Sequence, residues 1–271
     1  MKLLWPTLTL VFLFVFQPLQ AADKTRIATT LPISQALAES LLIGTGITPV
    51  YLPPSRLPVK RIANWLQHKS GQRIEHSSPY QAVITVESIW PRYRVYGKLR
   101  SQNIRIVPID IARELDIPGS QISLSADPVR QQDYFWLAPD NLLVMSRILA
   151  HDLSRLWPEK SEMIHSNQQQ LRLQVLNYSS QLDQYLMSEG PMAICVMSPE
   201  LNPLAQALFL PIEEKGGCSD GALQLLKYEN NNSENTNSQW SLDAAEKPLK
   251  SGIEAWLKMN IKALAKGLEG G

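Results

Sequence analysis

The sequence predicts an α/β protein. Three observations carry the prediction. Short apolar, β-branched runs alternate with segments of helical periodicity over residues 26–108. A stretch poor in proline and glycine follows, from 139 to 189. A further buried-type strand then opens the closing region at Met192-Ala193-Ile194-Cys195-Val196-Met197. Strands and helices in alternation are the signature of a parallel sheet wrapped by helices.

Each element has its own signal. Arg26-Ile27-Ala28-Thr29-Thr30 reads as a strand stopped at Pro32. Residues 33–42 carry Ile33, Leu37 and Leu41 at helical spacing and end at Gly44. Residues 48–52 form a second strand, halted by Pro53-Pro54. Residues 59–68 place Ile62, Trp65 and Leu66 on one helical face. Residues 80–86 are rich in β-branched side chains and read as a strand. Residues 96–101 suggest a helix end, and 104–108 the next strand. Residues 112–132 lose the rhythm and read as a loop. The 139–189 stretch predicts a helix, a break at Trp157-Pro158-Glu159, and a long second helix ending at Gly190-Pro191. Its second half is polar on one side, as in helices that brace a protein or bridge two lobes. Beyond it, 204–210 read as a helix remnant, 213–218 as a turn, 222–228 as a strand, 230–238 as a disordered loop, and 253–268 as an amphipathic helix.

The amino terminus points to export. Lys2 precedes an apolar run over residues 3–16, then Pro18 and the small residues Ala21-Ala22 before Asp23. This order reads as a signal peptide cleaved after Ala21 or Ala22. The alternative is an uncleaved anchor, against which the run is short for a span of ~20 residues. No cysteine follows the run, which argues against a lipoprotein anchor. The rest of the 271-residue chain suits one large or two modest domains. Removing Lys2 takes the formal charge of +1 to zero. A nucleic-acid partner would need a basic face and is not expected. In the oxidising compartment that export implies, Cys195 and Cys218 are expected to join. Two separate thiols, with Cys195 buried in its strand, are the other reading.

The order of elements and several motifs resemble the periplasmic solute-binding proteins of zinc- and manganese-type ABC importers. Ile27-Ala28-Thr29-Thr30-Leu31-Pro32 looks like the family's first strand. Trp136-Leu137-Ala138-Pro139-Asp140-Asn141 resembles its tryptophan, leucine, aspartate, proline and asparagine motif. Trp157-Pro158-Glu159, the later Asn167, and the closing helix with Trp256 and Asn260 follow in the family's order. The resemblance implies two Rossmann-like lobes joined by one long rigid helix. It also implies a cleft that hands zinc or manganese to an inner-membrane ABC permease. The chain then divides into a signal peptide (1–22), an N-terminal lobe (23–138), a connecting helical segment (139–189) and a shortened C-terminal lobe (190–271). The last reads as short of one helix–strand unit.

The ligand positions depart from that pattern. Members carry a histidine two residues before the motif tryptophan, where this chain has Tyr134. They carry another after the second strand, and residues 52–66 contain none. A third follows the first strand of the second lobe, where this chain reads Met197-Ser198-Pro199-Glu200. Asp220 and Asp243 are the candidates for the late carboxylate. Zinc takes imidazole, thiolate or carboxylate. A tyrosine of ordinary pKa ~10 is a poor ligand near neutral pH, and methionine suits Cu(I). His68, His76, His151 and His165 share no helical i, i+4 face, so they read as surface or satisfied histidines.

The expectation is a non-catalytic periplasmic binding protein whose metal site is lost or rebuilt. Tyr134, Trp136, Met197, Ser198 and Glu87 are the residues expected to line its cleft. A further option is that a small organic ligand or metal complex replaces the bare ion. The alternative is a pseudo-binding module that docks onto an envelope protein. An exported hydrolase would need a base beside Ser198 and a glycine-flanked elbow, and the sequence has neither pattern there.

Overall fold

The computed structural model describes residues 25–75, 79–114, 121–124, 133–228 and 238–269. The leader at 1–22, His76 and most of the asparagine-rich tract lie outside the described residues. No helix among the described residues is long and apolar enough to cross a membrane.

The first sheet is parallel. It contains β1 (Arg26–Thr29), β2 (Thr48–Tyr51), β3 (Ala82–Thr85) and β4 (Val107–Asp110), in the order β2-β1-β3-β4. Its crossovers carry α1 (Pro32–Leu41), then α2 (Val59–His68) with α3 (Ser70–Glu75), then α4 (Tyr96–Arg100). All four residues of Ala82-Val83-Ile84-Thr85 are buried, because β3 is central and covered on both faces. β4 starts later than its apolar run suggests. Ile104 is exposed, and the Ile106 N–H closes a turn on the Asn103 carbonyl instead of joining the sheet.

Two long helices follow. α5 (Pro139–Leu156) starts with proline at its first position, where the missing N–H costs nothing. A 3-10 turn at Pro158–Lys160 separates it from α6 (Ser161–Glu189), 29 residues and about 44 Å long at 1.5 Å per residue. Gly190, at φ 54°, ends α6 in the left-handed conformation glycine permits. The Asn167 side chain donates to the carbonyls of Leu41 (3.0 Å) and Ile43 (2.9 Å), fastening α6 to the end of α1.

The second sheet repeats the first. It contains β5 (Ile194–Val196), β6 (Ile212–Glu214), β7 (Leu223–Lys227) and β8 (Gln239–Leu242), all parallel, in the order β6-β5-β7-β8. Its strand count equals that of the first, which corrects the reading of a missing strand. The economy is in helices: α7 (Asn202–Ala207) has six residues, and no helix stands between β6 and β7. Glu213 and Glu214, read as part of a turn, belong to the edge strand β6. The closing helix α8 (Gly252–Leu268) packs on β8 and on α6, and α6 also contacts α1 and α5. One continuous apolar core includes residues of both sheets.

Gly267 marks the tightest approach of α8 to the sheet. Its carbonyl accepts the Ser238 N–H at 3.0 Å, and a Cβ there would collide with the backbone carbonyl of Gln239. Gly267→Ala should therefore destabilise by about 1–3 kcal/mol, the cost of overpacking. Gly97→Ala, with open space around it, should be neutral or stabilising by up to about 1 kcal/mol. Urea denaturation of both variants checks the contrast.

Candidate functional site between the two sheets

Loops leaving the carboxyl ends of the strands meet between the sheets, the usual ligand position of open α/β sheets. From the first half come the start of α2 and the segment Asp133–Leu137. From the second come the turn after β5, the end of β7 and the loop after β8.

The sequence fixes the first-half contribution through Asn141. Its amide donates to the carbonyls of Phe135 (2.9 Å) and Ser123 (2.8 Å), and its oxygen accepts the Ser123 N–H (2.7 Å). This holds the 3-10 turn Phe135–Leu137. Trp136 is fully buried, stacks on Tyr134 with ring centroids 4.7 Å apart, and meets Trp90 edge-on at 5.7 Å.

The loop after β8 is clamped as firmly. Asn260 accepts the Asp243 N–H at 2.9 Å and donates to the Asp243 carbonyl at 3.2 Å. Trp256 donates to the same carbonyl at 2.8 Å. The Asp243 carboxylate accepts the Ala245 N–H at 2.9 Å, and Ala245 takes a left-handed φ of 53°. Trp136 reaches across from the first half to donate to the Ala244 carbonyl at 3.1 Å. Together these fixings aim Glu246 into the space between the sheets.

An ionic cluster fills that space. The Tyr134 hydroxyl donates to Glu246 at 2.6 Å. The Lys227 ammonium donates to the same carboxylate oxygen at 3.1 Å and lies 3.8 Å from Glu200. Lys60, at the start of α2, pairs with Glu200. The backbone joins in: Tyr134 N–H donates to the Glu200 carbonyl at 3.0 Å, and Val59 N–H to the Glu246 carbonyl at 3.1 Å. Every one of these bonds except Lys227 to the two carboxylates crosses from one half to the other.

The electrostatics follow from this arrangement. Burial, the hydrogen bond to Glu246 and the nearby negative charges hold the Tyr134 hydroxyl far above its usual range, so it stays a neutral donor. Burial would raise Glu200, but the Lys60 hydrogen bond, a backbone hydrogen bond and the Lys227 charge outweigh it and lower the carboxyl below its usual value. Burial raises Asp243, opposed by the Ala245 N–H and reinforced by Glu246.

This donor set does not fit zinc or manganese. A cation would have to displace an ammonium already bound to Glu246, and Tyr134 offers a proton where a lone pair is required. Glu246 and Glu200 would remain as oxygen donors, each already committed to lysine.

The structure brings Tyr134 and Trp136 to this cluster and places the other expected cleft residues differently. Met197 follows Cys195 on the same strand face and packs against the small cluster of Ala193, Cys195, Ala222 and Cys218. Ser198 opens the 3-10 turn Pro199–Leu201 that carries Glu200 inward, and its carbonyl accepts the Leu201 N–H. Glu87 caps α4, accepting the N–H groups of Val95 (2.8 Å) and Tyr96 (2.9 Å), and lines a separate cavity. Cys195 and Cys218 are bonded to each other, with Cα atoms 5.6 Å apart. Asp243 positions the Glu246 loop through its backbone and side chain, and Asp220 is exposed.

Lys227, Glu246 and Lys60 escaped sequence reasoning. Lys227 carried a signal: it continues the strand face of the buried Leu223 and Leu225, where a charge needs a partner.

No protein-family model matches the chain, and no curated protein matches it. Solved structures do. The Zn(II)-bound ZnuA-like domain of Streptococcus pneumoniae AdcA superposes with a TM-score of 0.66 at 13% identity, covering 91% of this chain and 99% of that one. The metal-dependent lipoprotein YcdH from Bacillus subtilis gives 0.64 at 12%, covering 90% and 99%. The solute-binding protein FpvC from Pseudomonas aeruginosa, in complex with Ni2+, gives 0.64 at 10%, covering 91% and 97%.

Three outcomes test the cluster. Tyr134→Phe keeps the stack on Trp136 and should cost about 1.5–3 kcal/mol, the value of a hydrogen bond to a charged group. Lys227→Met should cost about 3 kcal/mol, the low end for a broken buried pair, because Lys227 is still 18% exposed. Glu200 titrates below its ordinary 4.5 in the folded state. Its stabilisation is complete above that value and is lost as pH falls through the folded pKa. Urea denaturation against pH should show this acid loss, and it should shrink in Lys227→Met. The chain has the two-lobed fold of the metal-type solute-binding proteins of ABC importers.

Proposed function

We propose that this is an exported solute-binding protein of the metal-importer type whose interlobe site no longer takes a bare divalent cation. One observation carries the reading: the Lys227 ammonium occupies the position between Glu246 and Glu200, with Tyr134 donating to Glu246. The site has its cation built in. A transport protein must surrender its cargo, and a lysine side chain cannot be surrendered. The lobes, taken as 23–138 and 190–271 around the connecting segment 139–189, are held together by the chain's own groups. The protein is non-catalytic in this reading. The leader at 1–22 supports delivery to the periplasm. An ABC permease is the partner that the fold suggests, with an organic solute or chelated metal as its cargo.

A second reading has its own observation. Phe209 is 94% exposed at a left-handed φ of 54°, and Met192 is 76% exposed near it at the amino-terminal ends of β6 and β5. A large aromatic held in such a backbone conformation and left in water favours a module that docks onto an envelope protein.

Titration calorimetry with Zn2+ and Mn2+ tests the first reading. Glu246→Gln and Glu200→Gln should leave any metal isotherm of the parent protein unchanged. Loss of binding in either variant would show a cation seated between the lobes and end the proposal. Native mass spectrometry of protein taken from the periplasm reports any organic cargo directly. A mass retained by the parent and absent after Phe209→Ser would favour the docking reading.

A further inference from the structure

We infer that the chain carries a divalent-metal site on the flank of its first sheet, built by Glu114, His151 and Asp152. This site is separate from the cleft, and its argument does not rest on the cleft reading.

The geometry begins at the loop leaving β4. Ile122 N–H bonds the Ala112 carbonyl at 3.0 Å, and Arg113 bridges Gln121 in antiparallel fashion. This pins the backbone beside Glu114 against α5. Glu114 is only 8% exposed. Its Oε1 is fully buried and has no hydrogen-bond partner among the described residues, where His151 is its ion-pair neighbour. An ionised carboxylate oxygen in that state costs several kcal/mol unless a positive charge or a metal meets it.

The atoms that meet it are of the ligand kind. His151 Nε2 lies 3.4 Å from that same oxygen. That separation is about the edge of a tetrahedron with zinc at ~2.0–2.2 Å from nitrogen and oxygen. Asp152, the next residue of α5, brings a third donor, and the three ligand atoms all lie within 4.8 Å of one another. The set is one imidazole and two carboxylates, and three protein ligands is the number found in sites that keep a fourth position open. An imidazole in the set favours zinc-type cations over magnesium or calcium.

The fourth position has somewhere to face. Glu114 and Asp152 line a cavity of 540 Å³ together with Glu87 and Asp110 at the carboxyl ends of β3 and β4. Arg113 and Arg155 line it too. Burial raises the Asp110 carboxyl, the N–H groups of Ser88 and Ala112 oppose it, and the negative charge of Glu87 adds to it. The cavity thus already disfavours further negative charge, the condition a cation relieves. The group is hidden in the sequence because the partners of His151 are carboxylates, and Glu114 comes from a different loop.

Calorimetric titration of the chelator-treated, full mature protein with zinc chloride is the test, with Co2+ absorption as the second readout. The expected result is one zinc per chain, with a tetrahedral cobalt spectrum. His151→Gln and Glu114→Gln should each weaken zinc at least about tenfold and flatten the cobalt bands, with far-ultraviolet circular dichroism unchanged. Glu246→Gln should bind zinc as the parent does. Absence of zinc binding in the parent overturns the flank site and leaves the cleft reading standing. Binding that survives His151→Gln and Glu114→Gln but fails in Glu246→Gln overturns both. Binding that survives all three variants overturns the flank site alone.

Discussion

The contact between the Lys227 ammonium and the carboxylates of Glu246 and Glu200 governs the arrangement of this protein. Two carboxylates pointed into one partly buried space repel. The folded state needs a positive charge between them. A mobile ion would supply it at the cost of capture and with the freedom to leave. A lysine anchored on β7 supplies it permanently, at a position fixed by the register of Lys227 against Leu242. Tyr134 completes the design. A histidine there would offer a lone pair to a metal, whereas the phenol offers a proton to Glu246. The two residues act together to neutralise carboxylates from within.

The scaffold makes such precision possible. Both sheets use the same strand order, so both aim their carboxyl-end loops into one space. Asn141 fixes the tyrosine side, and Asn260 with Trp256 fixes the glutamate side. Trp136 ties the two together through the Ala244 carbonyl. The motif residues that look like recognition signals are therefore positioning groups. Their hydrogen bonds act on the backbone of the turns that carry Tyr134 and Glu246, and they work whether those turns hold a metal or a lysine.

The same distinction sets what the sequence could reveal. The apolar runs at Ile27-Ala28 and Ala82-Val83-Ile84 announce central strands, because burial on both faces removes polar residues. β6 hid, because an edge strand of Ile212-Glu213-Glu214 carries the charges of a turn. β8 hid beside the asparagine-rich tract, with only Trp240 and Leu242 as large apolar residues. Tyr134 and Trp136 were legible from a local motif. Glu246 and Lys60 were not, since their roles depend on loops from opposite halves meeting in space. Glu87 looked like a cleft residue because it ends a buried strand, but the nearest unsatisfied donors were the first N–H groups of α4. Met197 faces away from Glu200 because the strand alternates, placing it with Cys195.

A binding protein signals occupancy only if its ligand stabilises one lobe arrangement more than another. Separating the halves here breaks Tyr134 from Glu246, Trp136 from Ala244, Val59 from Glu246 and Lys60 from Glu200. All of these partners belong to the chain, so their contribution to closure is the same at every ligand concentration. α6 adds to the effect by packing on α1, which precedes the cleft in the first half, and on α8, which closes the second. In the proposed reading a bare cation has no differential contact left to make in the cleft, and equal affinity for two states shifts neither. If occupancy is signalled, the differential contact has to come from a ligand that displaces Lys227 from Glu246, or from a site outside the cleft. The buried oxygen of Glu114 beside His151 is the proposed place for such a site.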